Sequence, residues 1–498
     1  MNLLALNVIT PQLIIAGGIV LAMLLVAWQR SQQLIANFTV LILIIALIAT
    51  LNGFGIEKLS VTQLLAVDDY SRYAFILVLF ASMVCVYLSK RMLKQVEDVH
   101  DEYYLLLLLV VLGAGILVVS DHFASLFLGF ELLSIALVGL VGYCRQAPTA
   151  VETGFKYLML SASASSFMLL GIAFIYAQTG DLNFAQGGHD STALSNMYWL
   201  YQVGFVLFFS GIAFKLSLVP FHFWTPDVYQ GASSPVTLLL ATVSKCAMFI
   251  VLLKCCSTTS HIALIQDEKL MSFIYWVAIL SMIVGNSLAL KQQSIKRLLA
   301  YSSIAHMGYL LIVVLLSGSD SLAMAWQSVL FYLTAYILAS VSIFTVITLM
   351  ERDRNIYTDT TIKDWQGLFW QQPLMATLLI FSLLSFAGIP LTAGFIGKFY
   401  LISFAANQEL WTLLAALIIG SGIALAYYLP LIFSLFSREL PQKTTEELSQ
   451  KQTQHNSLNG GASQTFTWFD KSVLICFILA GFSIGLFPDV IGKVLQAL

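Results

Sequence analysis

Residues 215–245 read KLSLVPFHFWTPDVYQGASSPVTLLLATVSK. Lys215 closes one apolar run, Pro220 and Pro226 follow it, and a second apolar run carries Lys245 near its centre. Proline removes a helix hydrogen bond and clashes with the preceding turn, so the first run is expected to break here. At membrane depth, irregular backbone is tolerated only where protein or a water-filled cavity covers it. A lysine beside such a break and another deep in the next run mark an interior path for ions or protons, because intramembrane charges are costly and usually functional.

The rest of the chain supplies the membrane. Of its 498 residues 59% are hydrophobic and 10% charged, against about 25% charged for an average soluble domain. A spanning helix needs roughly 20 mostly apolar residues. Spans are expected near 12–28, 34–52, 70–88, 103–120, 122–142, 153–177, 201–222, 235–256, 270–290, 295–316, 322–349, 373–404, 411–436 and 469–488. The fold class is therefore an all-α integral membrane protein of about fourteen helices. The net charge of −2 and the lack of a basic tail argue against nucleic acid. The six cysteines form no C-x-x-C pair, so no iron–sulfur site or disulfide framework is indicated. No G-x-G-x-x-G marks a nucleotide site, and no metal site is indicated. Met1 to Pro11 carries no basic residue before the first apolar run, so the first helix is expected to be retained.

The loops set the orientation. Those after odd-numbered spans carry Arg30, Lys90, Arg91, Lys94, Arg145, Lys291, Arg352, Arg354, Lys363, Arg438, Lys443 and Lys451. Those after even-numbered spans carry little beyond Lys58 and Lys269. By the positive-inside rule the first set is cytoplasmic and both termini lie outside, in the periplasm of a bacterial cell. Residues 437–468 read as a flexible polar linker, and 351–372 as an interfacial segment.

A second break is expected in the twelfth span, where SFAGIPLTAGFIGKFY sets Gly388, Pro390, Gly394 and Gly397 before Lys398. The two breaks are five spans apart, which suggests two inverted five-helix repeats, helices 4–8 and 9–13, with broken helices 7 and 12. Two unrelated kinks are the alternative.

Seven residues are candidate proton carriers: Glu131, Lys156, Lys215, Lys245, Lys398, His222 and His306. Each insertion of a mid-span charge costs roughly 2.5–3.5 kcal/mol. Lysine in a poorly hydrated site holds its proton less tightly, and a nearby carboxylate reverses that, so an opening and closing Glu–Lys pair can switch a lysine. Arginine stays charged and serves poorly, and none stands at these positions. Bland alternatives exist. Lys156 and Lys296 are close enough to helix ends to snorkel. Lys215 and Lys398 could merely cap freed carbonyls, and His222 and His306 could be packing residues. Asp121 and His122 read as a helix cap.

The stretch 215–245, with KRLLAYSSIAHMGY at 296–309 and GIPLTAGFIGKFY at 388–400, resembles the antiporter-like membrane subunits of respiratory complex I. The likeness covers about 103 to 436, and the family carries lysine or glutamate at the position of Lys398. It implies a three-helix segment at 1–102, two antiporter-like repeats at 103–256 and 257–436, and a polar loop with a last helix at 437–498. It implies proton transfer from a Glu131–Lys215 pair through Lys245 towards Lys398, with Lys156 on helix six. NADH, FMN, iron–sulfur clusters and quinone are then expected in partner subunits, with no cofactor in this chain. Other complex I subunits, membrane lipid and protons are the expected partners. The long lateral helix of the largest such subunit is not expected here, because Leu498 follows shortly after the last expected span. A related cation/proton antiporter or membrane-bound hydrogenase subunit is the alternative. A free-standing solute transporter and a non-conducting spacer are more distant ones.

Overall fold

The computed structural model describes residues 8–28, 30–55, 59–93, 101–144, 149–184, 198–259, 267–315, 322–353, 360–437 and 468–497. All but the two end residues of the polar linker expected at 437–468, and several orienting charges, Lys58, Lys94, Arg145, Arg354, Arg438, Lys443 and Lys451 among them, lie outside the described residues.

Numbered by span, the helices are α1 (Thr10–Trp28), α2 (Gln32–Leu51), α3 (Asp69–Leu93), α4 (Glu102–Val119), α5 (Phe123–Val141) and α6 (Ala150–Thr179). Next come α7a (Tyr198–Leu216) and α7b (Trp224–Gly231), then α8 (Ser234–Ser257). They continue as α9 (Glu268–Ala289), α10 (Ile295–Val314) and α11 (Leu322–Asp353). The last are α12a (Pro373–Ala387), α12b (Ala393–Asn407), α13 (Trp411–Phe436), α14a (Trp468–Leu486) and α14b (Pro488–Ala497). Twelve described helices are long and apolar enough to cross a membrane, and the α14 pair, bent by 76°, makes a thirteenth. The two halves of α12 fall short individually because Gly388 and Pro390 interrupt one apolar run. That interrupted run occupies the fourteenth place.

The sequence pattern did not foresee a hairpin, β1 (Leu59–Thr62) and β2 (Leu65–Val67), paired antiparallel between α2 and α3. Leu65 bridges to Ser120 and His122 bridges to Asn183, which ties this end of the bundle together. His122 caps α5 as expected: its Nδ1 accepts from the Ala124 amide at 3.0 Å.

Burial is graded from the centre outward. α8 is buried along its whole length and α10 and α11 nearly so, whereas α1 and α6 present most of their surface outward. Close backbone approach needs small residues where helices cross in a membrane. At Gly171 of α6 a Cβ would stand 2.3 Å from the Phe208 nitrogen of α7a. At the far end of the chain, Asp470 of α14a is fully buried, paired with Arg91 and accepting from the Tyr87 hydroxyl, both on α3. Truncating one partner of a buried pair strands the other charge, so this pair pins the last helix to the third.

Candidate functional site

The break in α7 is locally satisfied. Ser217 takes φ +65°, the Leu218 amide turns back to the Ala213 carbonyl at 2.8 Å, and the Trp224 indole donates to the Phe214 carbonyl at 2.8 Å. The Val219 amide donates to Ser281 Oγ of α9 at 3.0 Å. These bonds answer the backbone groups that the interrupted helix frees. They also hold Lys215, one residue before the end of α7a, at 1% exposure.

Lys215 Nζ donates to Ser134 Oγ at 2.8 Å and to Tyr157 Oη at 2.9 Å, and lies 5.3 Å from the Phe130 ring centre. Glu131 sits one turn before Ser134 on the same face of α5. Among the described residues no cation lies within 4 Å of its carboxylate, and one of its oxygens is buried without a hydrogen-bond partner in the protein. The structure thus docks Lys215 of α7a on Ser134, one turn along α5 from Glu131, with the lysine on hydroxyls and the carboxylate unpaired.

Lys245, at the middle of α8, is fully buried and donates to Ser303 Oγ of α10 at 2.7 Å, with the Tyr229 ring centre 5.8 Å away. The Tyr229 and Tyr336 hydroxyls lie beside the same serine. His306 follows Ser303 by one turn; its Nδ1 meets Tyr332 Oη at 2.6 Å, and its ring packs among Tyr309, Tyr336 and Phe386. It is close enough to Lys245 and Lys398 to interact with both electrostatically. Lys398, early in α12b, donates to the Phe386 and Ala387 carbonyls at 3.0 Å each and lies 5.2 Å from the Tyr309 ring centre. It caps the last carbonyls of α12a, where cations are favoured by the helix dipole. Behind Tyr309, Asn286 of α9 donates to its hydroxyl at 2.8 Å and accepts from Tyr427 at 3.0 Å.

The ordered series is therefore Glu131, Lys215, Lys245, His306 and Lys398. The sequence reading missed the groups between its members. Tyr157, Tyr229, Ser303, Tyr332 and Tyr309 each stand beside a member of the row, and Ser303 and Tyr309 lie inside YSSIAHMGY.

Three expectations fall differently. Lys156 does not join the row: it pairs with Glu152 at 2.7 Å, with side chains 50% and 64% exposed. Its neighbour Tyr157 faces Lys215, and successive residues on a helix point about 100° apart, so Lys156 turns away. His222 is buried within the α7 break and packed on Phe223, and no lysine bonds to it among the described residues. Lys296 does not snorkel. It is buried, 2.8 Å from Glu351 of α11, and donates to the Ala232 carbonyl at 3.2 Å. Lys254 of α8, not singled out from sequence, is also buried, 3.8 Å from Asp68 and bonded to the Ala66 carbonyl at 3.1 Å.

A multi-pass helical bundle with a file of buried lysines between two interrupted helices is the interior of a membrane translocator of the antiporter-like class. Residues 120–424 match the family described as NADH:quinone oxidoreductase/Mrp antiporter, transmembrane, and the chain belongs to that family. It is 41% identical over 434 residues to NADH-quinone oxidoreductase subunit N of Ectopseudomonas mendocina (strain ymp), covering 86% of each chain. Among solved structures it is similar to a chain of respiratory complex I from Thermus thermophilus with bound aureothin (TM-score 0.79, 29% identity, 98% of both chains). It shares the fold of a chain in the archaeal membrane-bound sulfane sulfur reductase (TM-score 0.77, 22% identity, covering 100% of this chain and 97% of that one). It likewise shares the fold of a chain in the Mrp complex of Dietzia sp. DQ12-45-1b (TM-score 0.79, 19% identity, 100% and 96%).

Proposed function

We propose that this chain is a proton-translocating membrane-arm subunit of NADH-quinone oxidoreductase, in the place of subunit N. The observation that carries the reading is its identity to a subunit N over most of both chains, combined with an intact row of buried lysines. NADH oxidation and quinone reduction would take place in partner subunits, which would hold the FMN, iron–sulfur clusters and quinone. The work reaching this chain would be electrostatic. Closing the Glu131–Lys215 pair favours the ammonium form of Lys215, and opening it releases the proton. The proton would then pass by Tyr229 and Ser303 to Lys245, and by His306 and Tyr332 towards Lys398. The chain would be a translocase subunit with no redox centre of its own, set in the bacterial inner membrane with both termini periplasmic.

The sulfane sulfur reductase and Mrp likenesses speak for the fold alone, so the cation/proton antiporter and hydrogenase-type readings remain secondary. Purification decides between them. A tagged chain extracted from native membranes in mild detergent is expected to carry NADH:quinone reductase activity. Co-elution with antiporter subunits lacking that activity would overturn the assignment.

A further inference from the structure

The lysine row has a side branch that the proposed function does not use. Lys296, Ser303 and His306 lie along one stripe of α10, since residues seven apart on a helix return to the same face. Ser303 holds Lys245 and His306 meets Tyr332. Lys296, about 10 Å from Ser303 along the helix axis, is buried against Glu351, whose other oxygen accepts from Ser234 Oγ at 2.6 Å.

Three features give this pair a direction. First, it sits at the end of the bundle where α8 and α10 begin and α11 ends, the end carrying the basic loops. Second, exposure falls inward in steps. The outermost pair, Arg297 with Asp227 at 2.7 Å, has side chains 28% and 47% exposed; Lys296 and Glu351 are at 4% and 13%; Lys245 is at 0%. Third, one short segment, residues 229–232, reaches both of the last two. Lys296 donates to the Ala232 carbonyl that follows α7b, and Tyr229, three residues earlier, faces Lys245 with its hydroxyl beside Ser303. A clamp needs no such continuation.

We propose that Glu351 and Lys296 form a proton-uptake pair that loads Lys245 from the basic-loop side, an inference that rests on the proton-translocating reading above. An incoming proton forms an O–H bond on the Glu351 carboxylate and cancels its hold on Lys296. The Lys296 ammonium gives up a proton, which passes over the Tyr229 and Ser303 hydroxyls to the neutral amine of Lys245. The Lys296 amine then takes the proton from Glu351, and the ion pair is restored. One proton moves from solvent to Lys245, and no electron is transferred.

The test uses the complete complex in proteoliposomes and measures proton translocation against quinone reductase turnover. Glu351→Gln keeps the size and an acceptor for Ser234 but cannot load a proton, and it is expected to lower translocation at least about tenfold, the same loss expected of Lys245→Ala. The double variant Lys296→Met with Glu351→Met separates a carrier from a clamp, because well-packed apolar side chains commonly replace a buried ion pair without loss of stability. Translocation by the double variant is expected to stay as low as in Glu351→Gln; wild-type translocation in either overturns the uptake pair. If Lys245→Ala pumps normally, the translocation reading falls first, and the uptake pair with it. Should the variants not assemble, the unaltered complex decides. Dicyclohexylcarbodiimide, which needs a protonated buried carboxyl, is expected to label Glu351 during turnover, and an unlabelled Glu351 overturns the proposal.

Discussion

Lys245→Ala in the assembled complex is expected to lower proton translocation at least about tenfold, at the modest end of what a positioned proton-transfer group contributes. The fold should survive the change. Among the described residues the Lys245 side chain makes a single hydrogen bond, to Ser303 Oγ, and that hydroxyl retains its own bond to the Ala300 carbonyl at 2.7 Å. No buried partner is left unsatisfied, and a costly buried amine is removed. Lys245→Arg gives the sharper contrast. It preserves a positive charge at the centre of α8 but not a releasable proton, so it should translocate as poorly as the alanine variant. Proton uptake by proteoliposomes, scored against quinone reductase turnover, reads both. Translocation preserved by arginine would mean that a fixed charge suffices, and the relay would be wrong.

The second large effect is structural. Gly394→Ala should destabilise the protein by about 3 kcal/mol or more, at or above the upper end of ordinary overpacking costs. A Cβ at this position would stand 1.8 Å from the Ser385 carbonyl oxygen and 2.7 Å from its carbon, and both are backbone atoms that cannot rotate aside. The Gly394 amide also donates to Ser385 Oγ at 3.1 Å, which locks α12b against the end of α12a. Helix propensity alone predicts the opposite sign, since alanine is favoured over glycine by about 1 kcal/mol inside a helix. Gly422→Ala on α13 is the control, because nothing lies within 4 Å of its added Cβ. Thermal unfolding of the purified protein should show Gly394→Ala strongly lowered and Gly422→Ala unchanged or raised. Equal melting of the two would remove the close approach as the reason for glycine at 394.

Much of this was legible in the chain itself. Span positions followed from long apolar runs, and the two breaks followed from proline and glycine within them. The depth of Glu131, Lys215, Lys245 and Lys398 followed from their distance to any run end. What sequence could not give was rotational phase. α6 and α10 are apolar nearly all round, so nothing in their pattern says which way a lone lysine points. Lys156 and Lys296 therefore looked alike, and packing sent one outward to Glu152 and the other inward to Glu351. Glu351 was read with the polar segment that follows it, although it belongs to the last turns of α11. The hydroxyls of Tyr229, Ser303 and Tyr332 were missed for a different reason. Tyrosine and serine are common in membrane helices, and only three-dimensional neighbours distinguish a connecting hydroxyl from a packing one.

The two carbonyls bound by Lys398 give that residue a second meaning. Its ammonium closes the end of α12a, and charged hydrogen bonds are roughly twice as strong as neutral ones. On the proposed relay, a neutral Lys398 would hold the Phe386 and Ala387 carbonyls through ordinary rather than charged hydrogen bonds. The relay proposed above would thereby tie the charge of one residue to the strength of the seam between two half-helices.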